Sequence, residues 1–295
     1  MGVGDDDPDR NPLAGGEFPS LRLTRTRRPS ATIGAPALAH GLDASMGIPG
    51  LPQSATGQTT ILTGVNAPAF MGKHISGFPG PQLRSILEQH SVLKRIRETG
   101  RTASFLNAFG PRFFEASETK RRLSATSLAT MASGAPFRTW KDLLEGRAVV
   151  HDLTHWRMRE WGYDLPLRTA EEAGIIIAQE AAKLDFTLFE YFETDRAGHD
   201  QDRPRELRCL ADIDRALQVA LERLDLRSTT VIVVSDHGNL EDLSVKTHTL
   251  NPAFFALWGN WVPAWEPKSL TDIVPLIWEG LGLPRDGGGA ATEGA

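Results

Sequence analysis

Apolar residues along this chain fall into two rhythms, and the rhythms predict its elements. Over 82–99 (QLRSILEQHSVLKRIRET), Leu83, Ile86, Leu87, Leu93 and Ile96 recur at helical spacing, and Gly100 supplies the stop. Residues 54–64 read as a short helix ending at Gly64, and 103–109 as a strand. From Thr169 the alternation becomes regular. Thr169 and Glu172 have the form of a capping box, opening a helix that runs to about Leu184. A strand comes next over 186–192 (FTLFEYF), then a long helix over 204–224 and a β-branched strand over 230–235 (TVIVVS). A further strand at 253–258 (AFFALW) and a last helix over 269–281 complete the pattern. Strands alternating with helices of this length predict an α/β fold with a mostly parallel sheet flanked by helices.

Three stretches lack rhythm. Residues 1–50, rich in Gly, Pro, Asp and Arg, read mostly as loop. Residues 112–166 hold Trp140, Trp156 and Trp161 among mixed polar residues and read as a small irregular insertion, a lid over the site. The Gly- and Ala-rich tail over 285–295 reads as disordered. The expected organisation is one domain over 1–284 carrying that lid.

Composition narrows the picture. A hydrophobic share of 40% and a charged share of 23% are ordinary for a globular chain, and 295 residues suffice for a substantial core. The formal charge of −5 argues against nucleic acid or an anionic membrane as partner. It leaves an anionic small molecule open, because bound metal ions reverse the local field. One cysteine, Cys209, excludes a disulfide framework. No apolar run approaches a membrane span and no signal peptide is visible, so the expected compartment is the cytoplasm.

Ligands of open α/β sheets bind beyond the carboxyl ends of the strands, and two strands here deliver metal-ligand residue types at that place. The strand over 186–192 runs into Asp195-x-x-x-His199, and the strand over 230–235 into Asp236-His237-Gly238. Lys246-Thr247-His248-Thr249 comes shortly after. Carboxylate with imidazole suits Zn or Mn, and two such groups of ligands hold two ions near each other. Each motif alone has a bland reading: a surface pair on a helix, a turn with a helix cap, a loop histidine. Their joint order at strand ends favours the metal. Ser54, in Leu51-Pro52-Gln53-Ser54-Ala55-Thr56-Gly57, is the candidate nucleophile. A serine just ahead of a helix sits where backbone N–H groups and the helix dipole favour a phosphate, and a dication lowers its pKa. Alone it reads as a helix N-cap.

In combination, Ser54, Asp195-x-x-x-His199, Asp236-His237-Gly238 and Lys246-Thr-His248-Thr resemble the metalloenzyme domain of the alkaline-phosphatase superfamily. The likeness is to cofactor-independent phosphoglycerate mutase and phosphopentomutase in particular. Asp-His-Gly-Asn-x-Glu (Asp236 to Glu241), Thr-His-Thr-x-Asn-Pro (Thr247 to Pro252), Leu270-Thr-Asp-Ile-Val-Pro and Leu281-Gly-Leu-Pro284 add to it. The resemblance implies two divalent ions, one held by Asp195, His199 and His248 and the other by Asp236, His237 and Ser54. It implies in-line attack by Ser54 on a small phosphate ester and a phosphoserine intermediate.

Two departures qualify the resemblance. Only about 55 residues (112–166) stand where the phosphoglycerate mutases carry a large second domain that keeps water from the intermediate. That favours phosphomonoester hydrolysis over phosphomutase action. His151 and His155 in that stretch, with Lys73 and His74, read first as ordinary lid or core residues and only second as substrate contacts. The second departure is that the family opens with a strand ending in an aspartate ligand followed by Gly-x-Gly. Gly2-Val3-Gly4 matches the glycines, so the N-terminal strand and its Asp are expected upstream of Met1. A start assigned at an internal methionine explains this; a shortened, non-catalytic metal-binding homologue is the competing explanation.

Overall fold

The computed structural model describes residues 1–115 and 122–283. The expected disordered tail therefore lies outside the described residues. After a short 3-10 turn at Pro19–Leu21 come β1 (Leu38–Leu42), α1 (Ser54–Thr63), α2 (Ala67–Met71), α3 (Pro81–His90) and α4 (Val92–Glu98). β2 (Ala103–Phe105), β3 (Ala108–Phe109) and α5 (Pro111–Glu115) lead to α6 (Ala125–Ala132), β4 (Arg138–Thr139), α7 (Trp140–Leu144) and α8 (Trp156–Glu160). The remainder is α9 (Ala170–Ala181), β5 (Phe186–Leu188), α10 (Glu193–Asp200), α11 (Arg203–Arg223), β6 (Val231–Val234), β7 (Ala253–Trp258) and α12 (Ile273–Gly280), the last entered through a 3-10 turn. The result is a mixed α/β fold of helices and small sheets. Among the described residues no helix is long and apolar enough to cross a membrane.

β7 is the keystone. All six of its residues are buried, and their side chains alternate between two cores. Ala253, Phe255 and Leu257 join Leu42, Leu270 and Leu276, while Phe254, Ala256 and Trp258 join Leu23 and Leu221 on the opposite face. That is why the segment reads as an unbroken apolar run. The mostly parallel sheet expected from the sequence is not what this three-stranded sheet shows. Its order is β1-β7-β6, and both pairings are antiparallel. No helix lies between β6 and β7, and without a crossover element the chain returns antiparallel. Parallel pairing occurs in β2–β5 and in β3–β4.

Other elements shift for identifiable reasons. β1 falls in the stretch read as loop: His40-Gly41 breaks its pattern, and Gly41 is needed because a Cβ there would run into Pro252. The single helix expected over 82–99 is two helices, broken at Ser91, which is buried and extended (φ −52°, ψ 127°). The capping box at Thr169 and Glu172 forms as expected. Within the stretch read as a lid, α6 contributes Ala125, Leu128 and Ala129 to a core shared with Leu62 of α1, Leu93 and Ile96 of α4, and Trp278 of α12. This part of 112–166 is packed interior.

α11 lies along α9 and carries Asp212 into their junction, near Thr154 (3.3 Å) and Arg208 (4.0 Å). Burial pushes the Asp212 carboxyl up from 3.8 to about 6, against the pull of Arg208 and the Thr154 hydroxyl. A carboxyl that holds its proton more tightly folded than unfolded contributes fully below its unfolded pKa. That contribution is lost as pH rises through the folded value. Asp212→Asn is accordingly expected to match wild type in urea denaturation near pH 4 and to exceed it by about 1–2 kcal/mol near pH 7.5. Parallel stability profiles for the two proteins would show that Asp212 is ionised in the fold.

Candidate metal centre

The centre grows out of the return between β6 and β7. Asp236 and His237 lie just past the end of β6, and His248 comes just before β7. At the neck of this loop Gly238 and Thr249 form an antiparallel bridge, with Thr249 N–H donating to Gly238 O at 3.0 Å. A Cβ at 238 would run into Thr249 Oγ1 and the Glu241 carboxyl, so glycine is required. The neck stacks the rings of His237 and His248, with 3.6 Å between centroids.

Glu241 holds that neck from inside, at 1% exposure. Its Oε2 accepts from the N–H groups of Asn239 (2.8 Å) and Gly2 (2.6 Å). Its Oε1 accepts from Asn251 Nδ2 (3.2 Å) and from the Thr249 hydroxyl. A buried carboxylate with this many donors is satisfied without a cation of its own. Sequence reasoning noted Glu241 only as part of a motif and missed this role, as it missed Asn239.

α10 supplies the opposite wall. Asp195 and His199, one turn apart, share a face. Asp195 Oδ1 lies 3.4 Å from His248 Nε2, 3.5 Å from His199 Nε2 and 3.9 Å from His237 Nε2. Asn239 Nδ2 donates to the same oxygen at 2.9 Å, across Gly198, where a side chain would displace the amide. From α1, Ser54 Oγ stands 3.0 Å from His237 Nε2, and Asp236 Oδ2 lies 3.5 Å from that nitrogen. Gly57, one turn along α1, packs on the Asp236 backbone, where a Cβ would come within 2.7 Å of the carbonyl oxygen.

All six residues singled out from the sequence (Ser54, Asp195, His199, Asp236, His237 and His248) therefore meet. The expected first set, Asp195, His199 and His248, stands within 3.2–3.5 Å, and Ser54 and Asp236 of the second lie 3.0 and 3.5 Å from His237. Asp195, His237 and His248 offer ligand atoms that all lie within 4.8 Å of one another, which puts His237 between the two sets. Two of the amides at the start of α1, those of Ala55 and Thr56, are already engaged. Gln53 is the N-cap, and the N–H groups of Ala55 and Thr56 both point to Ile75 O (3.1 and 3.4 Å). Of the candidate substrate contacts, Lys73 is exposed and His74 Nε2 is bound to Ile48 O (3.1 Å). His155 is buried with Nδ1 on Pro166 O (2.7 Å), and His151 faces Glu193.

The donor set fits a divalent cation. His248 Nδ1 is bound to Pro52 O and His199 Nδ1 to Lys246 O, each at 2.7 Å. Those carbonyls fix Nδ1 as the protonated nitrogen and leave each Nε2 lone pair facing the other across 3.2 Å. Two imidazole lone pairs and a carboxylate converging this closely call for a positive charge between them. Burial opposes the charge on Asp195, yet the bond to His248 and the field of His237 hold its carboxyl well below the usual range. Burial pushes His237 down, whereas Asp195 raises His248 in spite of burial. Beyond them, burial and the field of Asp236 lift the Glu190 carboxyl to about 7, against the hydrogen bond from Thr126.

Comparison with known proteins finds a likeness over the C-terminal part of the chain. A family model described as Metalloenzyme superfamily matches residues 163–285. A 2,3-bisphosphoglycerate-independent phosphoglycerate mutase of Desulforudis audaxviator (strain MP104C) is 31% identical over 132 residues, covering 42% of this chain and 26% of that protein. The mutase of the same name from Paracoccus denitrificans (strain Pd 1222) is 30% identical over 145 residues, 45% of this chain and 28% of the relative. The matched part thus spans about a quarter of these relatives' length. Among solved structures, a Leishmania mexicana phosphoglycerate mutase aligns with a TM-score of 0.43 at 14% identity, over 66% of this chain and 38% of its own. The resemblance read from the sequence is shown over the segment that carries five of the six cluster residues.

Glu241→Gln replaces an oxygen that accepts two backbone N–H groups with either an amide that donates or a misaligned carbonyl. Loss of such a supporting partner typically lowers metal affinity about 10–100-fold. A decrease of that size is expected when Mn or Zn is titrated into wild type and variant by calorimetry. Equal affinities would show that the neck does not position the histidines.

Proposed function

We propose that this chain is a metal-dependent phosphoryl-transfer enzyme of the alkaline-phosphatase type, acting on a small phosphomonoester. The observation that carries this is the Ser54 hydroxyl, 3.0 Å from His237 Nε2 at the rim of a carboxylate and imidazole cluster. Two divalent ions, Mn or Zn, suit the six residues. Asp195, His199 and His248 would hold one, and Asp236, His237 and Ser54 the other. When bound, they supply positive charge that makes the serine alkoxide available and offsets the charge spreading over the phosphoryl oxygens.

The chain's own residues position the reaction. Ser54 Oγ is the nucleophile toward phosphorus, and the phosphoryl group moves to it as the ester oxygen leaves. The α1 backbone fixes that oxygen, with Gly57 seated on Asp236. Because the Ala55 and Thr56 amides of α1 are taken by Ile75, compensation of phosphate charge falls mainly to the ions and to side chains. Hydrolysis results if water takes the phosphoryl group from Ser54. The relatives named as phosphoglycerate mutases favour a second reading, in which a substrate hydroxyl takes it. The proposed setting is the cytoplasm, with neither nucleic acid nor membrane as partner.

Ser54→Ala is expected to lower turnover of p-nitrophenyl phosphate by the Mn- or Zn-loaded protein at least about 10³-fold, with metal affinity retained within about threefold. Wild type alone should incorporate label from a labelled ester at Ser54, read by mass spectrometry. Turnover undiminished in the variant would end the nucleophile assignment. Conversion of 3-phosphoglycerate to its 2-isomer without release of phosphate would establish the mutase reading instead.

A further inference from the structure

α10 is fastened to the loop between β6 and β7 along its length. His199 Nδ1 is bound to Lys246 O at 2.7 Å, and Gln201 Nε2 donates to Leu243 O at 2.9 Å. Those two ties hold the end of the helix and its C-cap. Asn239 meets the helix at the cluster itself, where its Nδ2 donates to Asp195. This tie alone among the three touches a carboxylate offered to a metal ion.

Asn239 is 1% exposed, and its backbone is held before its side chain reaches across. Its N–H donates to Glu241 Oε2 at 2.8 Å, and its carbonyl accepts from the Asp242 N–H at 3.2 Å. From that turn the amide crosses to α10. Nδ2 donates twice to one residue, to Asp195 Oδ1 at 2.9 Å and to the Asp195 backbone carbonyl at 3.2 Å. The other end of the amide lies over Gly198, where a Cβ would run into Oδ1. That oxygen is buried and finds no donor among the described residues.

The orphaned oxygen shows which end of the amide the site needs. Turning the amide over would set Oδ1 against two acceptors, one of them charged. The donor end is therefore committed to Asp195, and the acceptor end goes without a partner. Buried acceptors are rarely left so. One hydrogen bond is given up to keep two on Asp195. The chemistry of the donor matters as well. A lysine or arginine here would hold Asp195 and also cancel the charge that the carboxylate offers to a dication. The neutral amide orients the carboxylate and leaves its charge in place. The oxygen so held is the one that stands 3.4–3.9 Å from the three histidines.

We propose that Asn239 is a positioning residue of the metal centre, setting the gap between α10 and the β6–β7 loop and aiming Asp195 Oδ1 at the histidines without neutralising it. This rests on the metal-dependent reading of the site and adds to it the residue that prepares the carboxylate before an ion arrives. Asn239 acts through Asp195 and touches no reacting atom. Gly198 serves the same contact, because only a residue without a side chain lets the amide pass.

Calorimetric titration of Mn into the metal-free full chain tests this, with thermal unfolding of each variant recorded before metal is added. Asn239→Leu keeps the volume and removes the donors, and it should weaken Mn binding at least about tenfold while the metal-free protein stays folded. Asn239→Ala should act in the same direction. Gly198→Ala should weaken binding where Asn239 is present, and by less than about twofold when combined with Asn239→Ala, since the amide it displaces is then gone. A merely structural contact would lower the unfolding temperature and leave Mn affinity alone. Affinity within about twofold of wild type in both Asn239 variants overturns the proposal and leaves the phosphoryl-transfer reading standing. An equal cost of Gly198→Ala with and without Asn239 overturns it too, and that comparison decides if the leucine variant fails to fold. A wild type that takes up neither Mn nor Zn overturns both readings.

Discussion

Everything in the centre depends on one return of the chain, the antiparallel turn-back from β6 to β7. Because that return needs no crossover helix, both ends of the loop over 235–252 sit at one edge of the sheet. Asp236 and His237 leave β6 there, and His248 arrives there before β7. The Gly238–Thr249 bridge closes the neck, and the Glu241 carboxylate fills it. Burying that charge is tolerable because each oxygen accepts two hydrogen bonds, three of the donors coming from the loop itself. The loop is thus shaped by its own carboxylate before any ion is bound.

The same economy governs the histidines. Backbone carbonyls at Pro52 and Lys246 hold His248 and His199 by Nδ1, so the ring orientations are set from outside the cluster. The inward face is left with lone pairs and one strongly acidic carboxylate, Asp195. Such a cavity favours a dication over a proton, because burial disfavours an isolated imidazolium at His237. Close approach of α1 and α10 completes the arrangement, and glycines at 57 and 198 permit it by leaving room for Asp236 and Asn239.

How much of this was legible depends on where each signal sits. Asp236, His237, Asp195 and His199 were readable because each comes soon after a segment of strand-like residues. The buried run 253–258 and the capped helix at Thr169 were readable for the same local reason. The break at Ser91 was not, because a buried serine in extended conformation leaves no trace in the apolar spacing on either side. β1 was hidden by Gly41, whose presence answers to Pro252 more than two hundred residues away. α6 was hidden because its small residues (Ala125, Ala129) fit between helices without a long apolar stripe.

The sequence by itself determined the inventory: a carboxylate and imidazole set, a serine at a helix start, and strands to deliver them. These are properties of neighbours along the chain. Tertiary structure alone decided the direction of the central sheet, since pairing partners of β7 come from both ends of the chain. It also decided that His237 stands between the two ligand sets, that Ile75 occupies the amides of Ala55 and Thr56, and that Glu241 holds the neck. Each of those is a contact between segments distant in sequence or folded back on themselves, and spacing along the chain carries no record of which buried groups will meet.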